Sequence, residues 1–400
     1  MKSLFNFLFL FSLLLLISCK KNNDSSLNMH IAQNPSKYAY WEGDPLNLEG
    51  LRLIIYEDEG YREINFEDFE KEGFVTEPMN GETLSSNIDK VKIKHISTGS
   101  SVETNIYVRK KIISLVSVDS ISETPFINPS SCIVHNDSLF VITENSGLYA
   151  YSFNTKSWSL IKSGVAVTSF FTVQGFVKDN TWVIVNFYNG GNGTYSFIYF
   201  YDFIAHTFKS SPVIENFSWK AGALYSRDTL FLYDYSDYAP VRRKMFCYDF
   251  IQKTVVDLHR SNGLSEYNEP NVYRNVLNLN NEKYIIIETD IYRFNDNTKS
   301  FEKDGVADAY GSYSMSSGVN FKFQDYIIFG NGGDYFIYYN PVTKEKGNVY
   351  NQLFESRVNA LGFEYNNEIY TIGGKIKQTN GTTVYLKVLN KLVFEKANTR

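Results

Sequence analysis

Residues 357–375 read RVNALGFEYNNEIYTIGGK. A short apolar segment at 359–364 is followed by the pair Asn366-Asn367, and a second apolar segment at 368–372 ends in Gly373-Gly374. An asparagine pair between two such segments favours a tight β-turn. The paired glycines permit a second sharp turn with positive φ. The stretch therefore predicts two antiparallel strands joined by a short hairpin.

Related segments recur through the C-terminal two-thirds of the chain. Each is an aromatic strand followed by a polar turn that contains threonine, and the threonines are Thr155, Thr207, Thr254, Thr298 and Thr343. Their spacings are 52, 47, 44 and 45 residues, and a sixth, weaker copy ends near residues 390–394. A period in the mid-forties is typical of propeller and kelch repeats.

The Ile-Tyr-x-Ile-Gly-Gly ending of residues 369–374 resembles a kelch repeat, the unit of kelch-type β-propellers. The resemblance covers about residues 128–395 and is uneven, since Gly-Gly recurs only at Gly190-Gly191 and Gly332-Gly333. It implies an all-β fold, with a six-bladed kelch-like β-propeller at residues 128–396. A more generic propeller stays open. Residues 111–127 are expected to form a linker or a strand that closes the ring.

Composition supports an all-β class and excludes one class of partner. Aromatic residues make up 16% of the 400 residues, and no long stretch after the N-terminus has helical periodicity. The formal net charge is −5 and there is no basic tract. The sequence therefore lacks the clusters of lysine and arginine that are typical of nucleic-acid-binding proteins.

The N-terminus has the pattern of a sorting signal. Lys2 precedes an apolar run too short to span a bilayer comfortably, and the run ends in Leu-Ile-Ser before Cys19. This ending resembles the lipobox of bacterial lipoproteins, which implies a signal peptide at residues 1–18 and acylation of Cys19; a plain secretory signal is the alternative. Residues 19–33 then form a flexible tether. The expected location is the outer membrane of a Gram-negative, Bacteroidetes-like bacterium, lipid-anchored at the cell surface or on the periplasmic face.

A smaller unit at residues 34–110 precedes the repeats. Short strands are expected at residues 51–56, 61–64, 91–95 and 104–108. This pattern of strands and turns resembles a bacterial Ig-like domain, which implies an Ig-like β-sandwich that would act as a spacer. Its acidic clusters at residues 57–59 and 67–70 do not follow the EF-hand spacing, so a solvated face is favoured over calcium binding.

Motifs for catalysis or for cofactors are absent from the sequence. There is no Gly-x-Ser-x-Gly, His-Glu-x-x-His or phosphate-binding loop, and the five histidines are scattered. Cys132 and Cys247 fall in different predicted strands about two repeats apart, which favours buried free thiols over a disulfide or a metal site. No metal and no cofactor is expected.

Candidate ligand-binding residues lie in the loops between repeat strands, where propellers place ligands over the central channel. Aromatic rings stack on sugar rings, and arginine binds carboxylates with two hydrogen bonds. Arg357 has a second interpretation, as a structural residue that braces the last repeat. The candidates are Trp219, Tyr235, Tyr238, Arg242, Arg243, Tyr267, Arg274, Tyr310 and Arg357.

Three functions remain open on the sequence. The first is a non-catalytic, lipid-anchored envelope module that binds a ligand, with glycans as the expected class. The second is an enzyme, because six-bladed kelch proteins include sialic-acid mutarotases; Glu266, Glu269 and Arg274 form the nearest charged cluster, although no catalytic triplet matches residue by residue. The third is a protein-interaction platform beside an outer-membrane transporter.

Overall fold

The computed structural model describes residues 26–57, 59–144, 147–165, 173–190, 193–211, 214–215, 221–234, 244–264, 276–287, 289–306, 318–330, 336–378 and 380–397. In these ranges the regular structure is β-strand throughout, apart from a single 3₁₀ turn at Phe66–Asp68. The chain divides into two compact units between Lys110 and Lys111. The fold class predicted from composition is thus confirmed as all-β.

The first unit contains eight strands in three small sheets. Strands β1, β3 and β4 form one antiparallel sheet, β5, β6 and β7 form another, and β2 pairs with β8 in parallel. Alternate residues of β3 and β6, among them Leu53 and Ile93, point into one apolar core. The strands are β1 Asn28–Gln33, β2 Ala39–Trp41, β3 Arg52–Glu57, β4 Gly60–Asn65, β5 Phe74–Glu77, β6 Lys90–His95, β7 Ser101–Asn105 and β8 Tyr107–Arg109.

The sequence pattern predicted only some of the strands of this unit. The strands expected at 51–56, 61–64 and 91–95 correspond to β3, β4 and β6 within one or two residues. The strand expected at 104–108 is in fact the end of β7 and the start of β8, separated by the buried Ile106. Strands β1, β2 and β5 were not predicted. The tether expected at residues 19–33 is wrong for its last six residues, because β1 pairs with β3 there and buries Met29 in the core.

The second unit is a succession of antiparallel sheets, most of them four-stranded, as in the blades of a propeller. Strand β9, Ile113–Glu123, comes before them in the chain. The first sheet is β10 Pro129–His135, β11 Ser138–Thr143, β12 Gly147–Ser152 and β13 Ser157–Ser163; the second is β14 Val173–Lys178, β15 Thr181–Gly190, β16 Gly193–Asp202 and β17 Thr207–Ser210, with β18 Ile214–Glu215 beside β16; the third is β19 Ala221–Ser226, β20 Thr229–Asp234, β21 Lys244–Asp249 and β22 Thr254–Ser261.

Three more sheets follow in the same pattern. The fourth is β23 Leu277–Leu279, β24 Glu282–Ile287, β25 Asp290–Asn295 and β26 Ser300–Val306; the fifth is β27 Val319–Phe323, β28 Tyr326–Gly330, β29 Ile337–Tyr339 and β30 Lys346–Asn348; the sixth joins β31 Leu361–Tyr365, β32 Glu368–Ile372, β35 Val388–Lys396 and β9. A separate hairpin, β33 Lys375–Lys377 and β34 Thr383–Tyr385, lies between β32 and β35 in the chain.

Two-residue turns join the first and second strands of each of the six successive sheets of the second unit. In the last sheet the turn is Asn366-Asn367, and both residues have positive φ, 50° and 62°. This geometry matches the twist of a β-hairpin and suits asparagine better than most side chains. The hairpin predicted in residues 357–375 is therefore confirmed, with its first strand at Leu361–Tyr365.

A second kind of turn explains the threonine repeat. In the second sheet, the Asp202 carboxylate oxygen Oδ1 accepts hydrogen bonds from the backbone N–H groups of Ile204 and Ala205, at 2.8 and 2.9 Å. Asp249, Asn295 and Asn340 make the same pair of bonds in the next three sheets. Four positions after the residue that accepts these hydrogen bonds, the backbone has positive φ. In the first five sheets the residues with positive φ are Lys156, His206, Lys253, Lys299 and Lys344.

The repeat spacing inferred from threonine needs a correction. The reference position is the residue whose side chain accepts the hydrogen bonds of the turn. Thr155, Thr298 and Thr343 stand three residues after it, whereas Thr207 and Thr254 stand five residues after it. The threonines therefore occupy two different positions of one turn. The structurally equivalent residues are those with positive φ, which recur at intervals of 45–50 residues.

Apolar clusters fill the space between neighbouring sheets. The second strands are buried on both faces, and all five residues of β28 are buried. One cluster joins each sheet to the next, and another joins the sixth sheet to the first. Representative pairs are Ile142 with Trp182, Val185 with Leu232, Tyr233 with Ile287, Ile286 with Phe329, Phe321 with Phe394, and Val141 with Ile372.

Strand β9 supplies the outermost strand of the sixth sheet. It pairs with β35 along nine residue pairs from Ile113–Lys396 to Glu123–Val388. Ile113 and Leu115 are buried in the cluster that joins the fifth and sixth sheets. The sixth copy placed near residues 390–394 is thus the third strand of its sheet, and the fourth strand comes from a segment more than 260 residues earlier.

The contribution of β9 can be measured with Leu115→Ala. Leu115 is 3% exposed, and removal of a buried leucine side chain costs about 2–5 kcal/mol of unfolding free energy. The neighbouring Val116, 40% exposed on the same strand, is the control, and Val116→Ala should change stability by about 0.5 kcal/mol or less. Urea denaturation of both variants makes the comparison. Equal stabilities of Leu115→Ala and Val116→Ala would show that β9 does not hold the second unit together.

Candidate functional site

The first strands of the six sheets surround one cavity of about 470 Å³. Each of β10, β14, β19, β27 and β31 contributes lining residues, as do β23 and Val276 just before it. The first strands come together because each sheet packs its faces against the sheets on either side. A cavity of this volume falls in the range of about 300–1,000 Å³ that is usual for small-molecule sites.

The wall of the cavity needs small residues where neighbouring strands approach one another. A Cβ on Gly175 would clash with Trp182 Nε1 and lie 3.0 Å from Ser131 Oγ of the adjacent sheet. A Cβ on Gly362 would lie 3.2 Å from Val319 Cβ and 3.3 Å from the Asn320 carbonyl oxygen. These glycines therefore allow the inner strands to approach closely.

Aromatic rings form part of the lining. Phe176 and Tyr225, from the second and third sheets, stack with their centroids 4.6 Å apart and their planes 7° apart. The Tyr225 hydroxyl donates a hydrogen bond of 2.8 Å to Asp228 Oδ1, so the ring is held at both its face and its edge. Phe363, from the sixth sheet, is stacked on Tyr370 at 5.3 Å. The cavity thus has fixed aromatic surfaces on two sides.

Amide side chains supply polar groups to the same wall. Gln174 Oε1 accepts a hydrogen bond from the Ala223 N–H, which links the second and third sheets. Gln174 is buried, and its Nε2 has no hydrogen-bond partner in the described residues. Asn320 is buried as well, whereas Asn278 is exposed to solvent. Amides can both donate and accept, so they suit ligands rich in hydroxyl groups.

Glu364 is the carboxylate of this cavity. Its Oε1 accepts a hydrogen bond of 2.8 Å from the Lys322 N–H. The residue is exposed to solvent at the cavity wall. Partial desolvation by the neighbouring protein raises the pKa of the Glu364 carboxyl above its ordinary value, and the Lys322 N–H and the Lys322 charge lower the pKa by less. The group can accept hydrogen bonds when ionised and can also donate one when protonated.

Arg357 lies just before β31, in the connection between the fifth and sixth sheets. It is 8% exposed, and its Cζ lies 3.9 Å from the centroid of the Phe354 ring. Burial lowers the pKa of Arg357 to about 10, so the guanidinium stays protonated at neutral pH. Its Nε and Nη1 have no hydrogen-bond partner among the residues that the structure covers. Arg357 was predicted as a ligand-binding or bracing residue, and its packing is compatible with both interpretations.

The remaining sequence candidates lie outside the described residues. They are Cys19, Trp219, Tyr235, Tyr238, Arg242, Arg243, Tyr267, Arg274 and Tyr310, together with the charged pair Glu266 and Glu269. They stay predictions.

The cavity residues were not singled out from the sequence, although a signal for some of them is present. Tyr225, Asn278 and Glu364 each stand two residues before the two-residue turn that ends their strand. Alignment of the sheets on these turns, rather than on the threonines, would have brought the three positions together. Most of the candidates predicted from the sequence lie instead in the irregular loops.

Three further observations concern thiols, metal ligands and membrane spans. Cys132 and Cys247 form no disulfide and are half-buried, and Cys132 lines the cavity. Across the described ranges, no group of histidine, cysteine and acidic side chains has the geometry to hold a metal ion. None of the helical structure in those ranges is long and apolar enough to cross a membrane.

Comparison with known proteins gives a fold likeness but no family. No family model and no curated protein matches the sequence. The solved structure of YjhT is similar over 69% of this chain and 100% of its own, with 10% identity and a TM-score of 0.50. Since identity is so low, this likeness supports an all-β, propeller-like fold alone.

Two solved structures from Bacteroides thetaiotaomicron VPI-5482 are similar over 94% of this chain and 99% of their own. One is an auxiliary nutrient binding protein, with 12% identity and a TM-score of 0.45. The other is a structural genomics protein of unknown function, with 10% identity and a TM-score of 0.41.

The environment of Glu364 predicts a specific pH dependence of stability. A raised pKa in the folded state means that ionisation destabilises the fold as pH rises from the unfolded value, about 4.3, through the folded value. Glu364→Gln removes this cost and keeps an acceptor for Lys322 N–H. Its melting temperature should therefore exceed that of the wild type at pH 7, and the difference should vanish near pH 3.5.

Glu302 provides a control of opposite sign. Hydrogen bonds from Asn295 and Arg293 lower the pKa of the Glu302 carboxyl, so its stabilising effect is present above the unfolded pKa and lost in acid. Glu302→Gln should lower the melting temperature at pH 7 and have little effect near pH 3.5. Thermal unfolding at both pH values compares the variants, and the same pH trend in both would contradict the assigned environment of Glu364.

Proposed function

We propose that this protein is a non-catalytic ligand-binding module and that its ligands are glycans. The observation that carries the proposal is the cavity of about 470 Å³ bounded by the inner strands. Its lining combines stacked aromatic rings, uncharged amides and one carboxylate. Aromatic rings pack on the C–H faces of sugars, while amides and carboxylates bind sugar hydroxyls, so the two kinds of group together suit a saccharide.

We further propose that the second unit is a six-bladed kelch-like propeller. The support is the succession of six sheets at residues 113–396, the apolar clusters between consecutive sheets, and the cluster shared by the sixth sheet and the first. Strand β9 would act as the ring-closing strand of the last blade. The first unit, with its two three-stranded sheets, would be the Ig-like spacer.

The proposed setting is the outer membrane of a Gram-negative bacterium. Acylation of Cys19 would anchor the protein, since two or more acyl chains give stable membrane attachment. The polar residues between Cys19 and the start of β1 at Asn28 would then act as a tether, and the Ig-like unit would act as a spacer between this anchor and the propeller. The support for this arrangement is the lipobox-like sequence that ends at Cys19.

A glycan array with the purified chain tests the function, and a double variant of the cavity lining tests the site. Asn278→Ala combined with Glu364→Gln removes an amide and a charge from the cavity wall. Because each hydrogen bond to a ligand contributes about 0.5–1.5 kcal/mol, more for a charged group, the double variant should bind about tenfold more weakly. Titration calorimetry with the best array glycan measures the change.

Asn105→Ala provides the matched control. Asn105 is an exposed amide on β7 of the first unit, so its removal should leave glycan affinity unchanged. Absence of binding to every glycan would contradict the function. Strong binding that the Asn278→Ala/Glu364→Gln protein retains in full would keep the function but place its site outside this cavity.

A further inference from the structure

The Arg357 guanidinium is a buried cation that forms no ion pair with any carboxylate of the described residues. Glu355 acts on it only at longer range. Its Nε and Nη1 are out of contact with solvent and make no hydrogen bond there. An uncompensated buried charge costs several kcal/mol, so a binding partner that supplies the missing charge would be stabilising.

The side chain packs against protein at both its guanidinium and its aliphatic stem. One face of the guanidinium lies on Phe354, which itself stacks on Phe336 in the core, with centroids 5.6 Å apart. On the aliphatic side, a Cβ on Gly374 would lie only 3.1 Å from Arg357 Cδ. Glycine at position 374, with φ 103°, therefore leaves the space that the arginine stem occupies, and a larger residue there would displace it.

The backbone on both sides of Arg357 is fixed as well. Before it, Asn351 Oδ1 accepts hydrogen bonds from the N–H groups of Leu353 and Phe354, at 3.0 and 2.9 Å. After it, Val358 and Lys375 exchange two backbone hydrogen bonds of 3.0 and 2.8 Å. The position of the guanidinium is thus set by the fold before any ligand arrives. Such preorganisation lowers the entropic cost of binding.

We propose that Arg357 is the anchor of an oxyanion-binding site that takes the carboxylate or phosphate group of a ligand. A guanidinium is planar and offers N–H donors in a fixed geometry that carboxylates and phosphates match. Nε and Nη1 are closed to solvent, so an anion would have to approach through the 8% of the residue that is exposed, which favours a small anion or the terminal acidic group of a larger molecule over a bulky surface. This site does not depend on glycan binding in the cavity, and either can fail without the other.

Thermal unfolding of the purified chain at pH 7 and constant ionic strength tests the site. Sodium chloride is replaced stepwise by sodium acetate, by sodium glucuronate or by sodium phosphate. Since a ligand that binds only the folded state raises its stability with concentration, the wild-type melting temperature should rise with at least one of these anions. A response to acetate and glucuronate assigns carboxylate as the preferred group, and a response to phosphate alone assigns phosphate.

Arg357→Met separates an anion site from a structural role, because methionine keeps the apolar packing and removes the charge. The anion-dependent rise should disappear in Arg357→Met, and Arg357→Lys should require about tenfold more anion because it loses the planar set of donors. In chloride alone, Arg357→Met should melt no lower than the wild type, since it removes an unbalanced buried charge.

The control is Arg293→Met, at an exposed arginine that is paired with Glu302. It should respond to the anions as the wild type does. The proposal is overturned if the wild type shows no anion-specific rise, if Arg357→Met keeps the same rise, or if Arg357→Met is much less stable than the wild type in chloride. The last result would assign Arg357 to bracing the sixth sheet.

Discussion

Burial of both faces of each sheet is the constraint on which the second unit depends. Strands such as β11, β24 and β28 each contain four consecutive buried apolar residues, so neither face of such a strand can be left in water. A sheet of this kind needs a neighbour on each side, which a finite row of sheets cannot give to its first and last members. The cluster shared by the first and sixth sheets meets this need. Strand β9 extends the sixth sheet with residues from the start of the unit.

The cavity follows from the same constraint. When sheets pack side by side around a centre, their first strands meet there, and crowding requires residues such as Gly175 and Gly362. Side chains further along these strands can then face the open space. The polar ones, Asn278 and Glu364 among them, are few, and each is positioned by a strand rather than by a loop. Groups on strands keep their geometry well, which suits selective binding of a small polar molecule.

Much of the local structure could be predicted from the sequence. The Asn366-Asn367 turn and the apolar segments around it specify a hairpin through residues that are adjacent in the chain. The recurrence of aromatic strands followed by polar turns gave an approximate period. It did not give the structurally equivalent residues, because threonine occupies two positions of the turn and the residue with positive φ is lysine or histidine.

The features that depend on distant contacts could not be predicted in the same way. The pairing of β9 with β35 joins segments that no local pattern connects. The cavity lining depends on which residues of six separate strands meet at the centre, and the burial of Arg357 depends on tertiary packing around Phe354. In each case the deciding interaction lies between residues far apart in sequence.

The cysteines allow the most direct test of whether a ligand occupies the cavity. Cys132 lines the cavity and Cys247 does not, while burial raises the pKa of the Cys247 thiol. Iodoacetamide alkylation followed by mass spectrometry gives the rate at each thiol, with and without a saturating concentration of a glycan selected on the array. Occupation of the cavity predicts a slower reaction at Cys132 and an unchanged rate at Cys247. A bound glycan that leaves the Cys132 rate unchanged would contradict the proposed site.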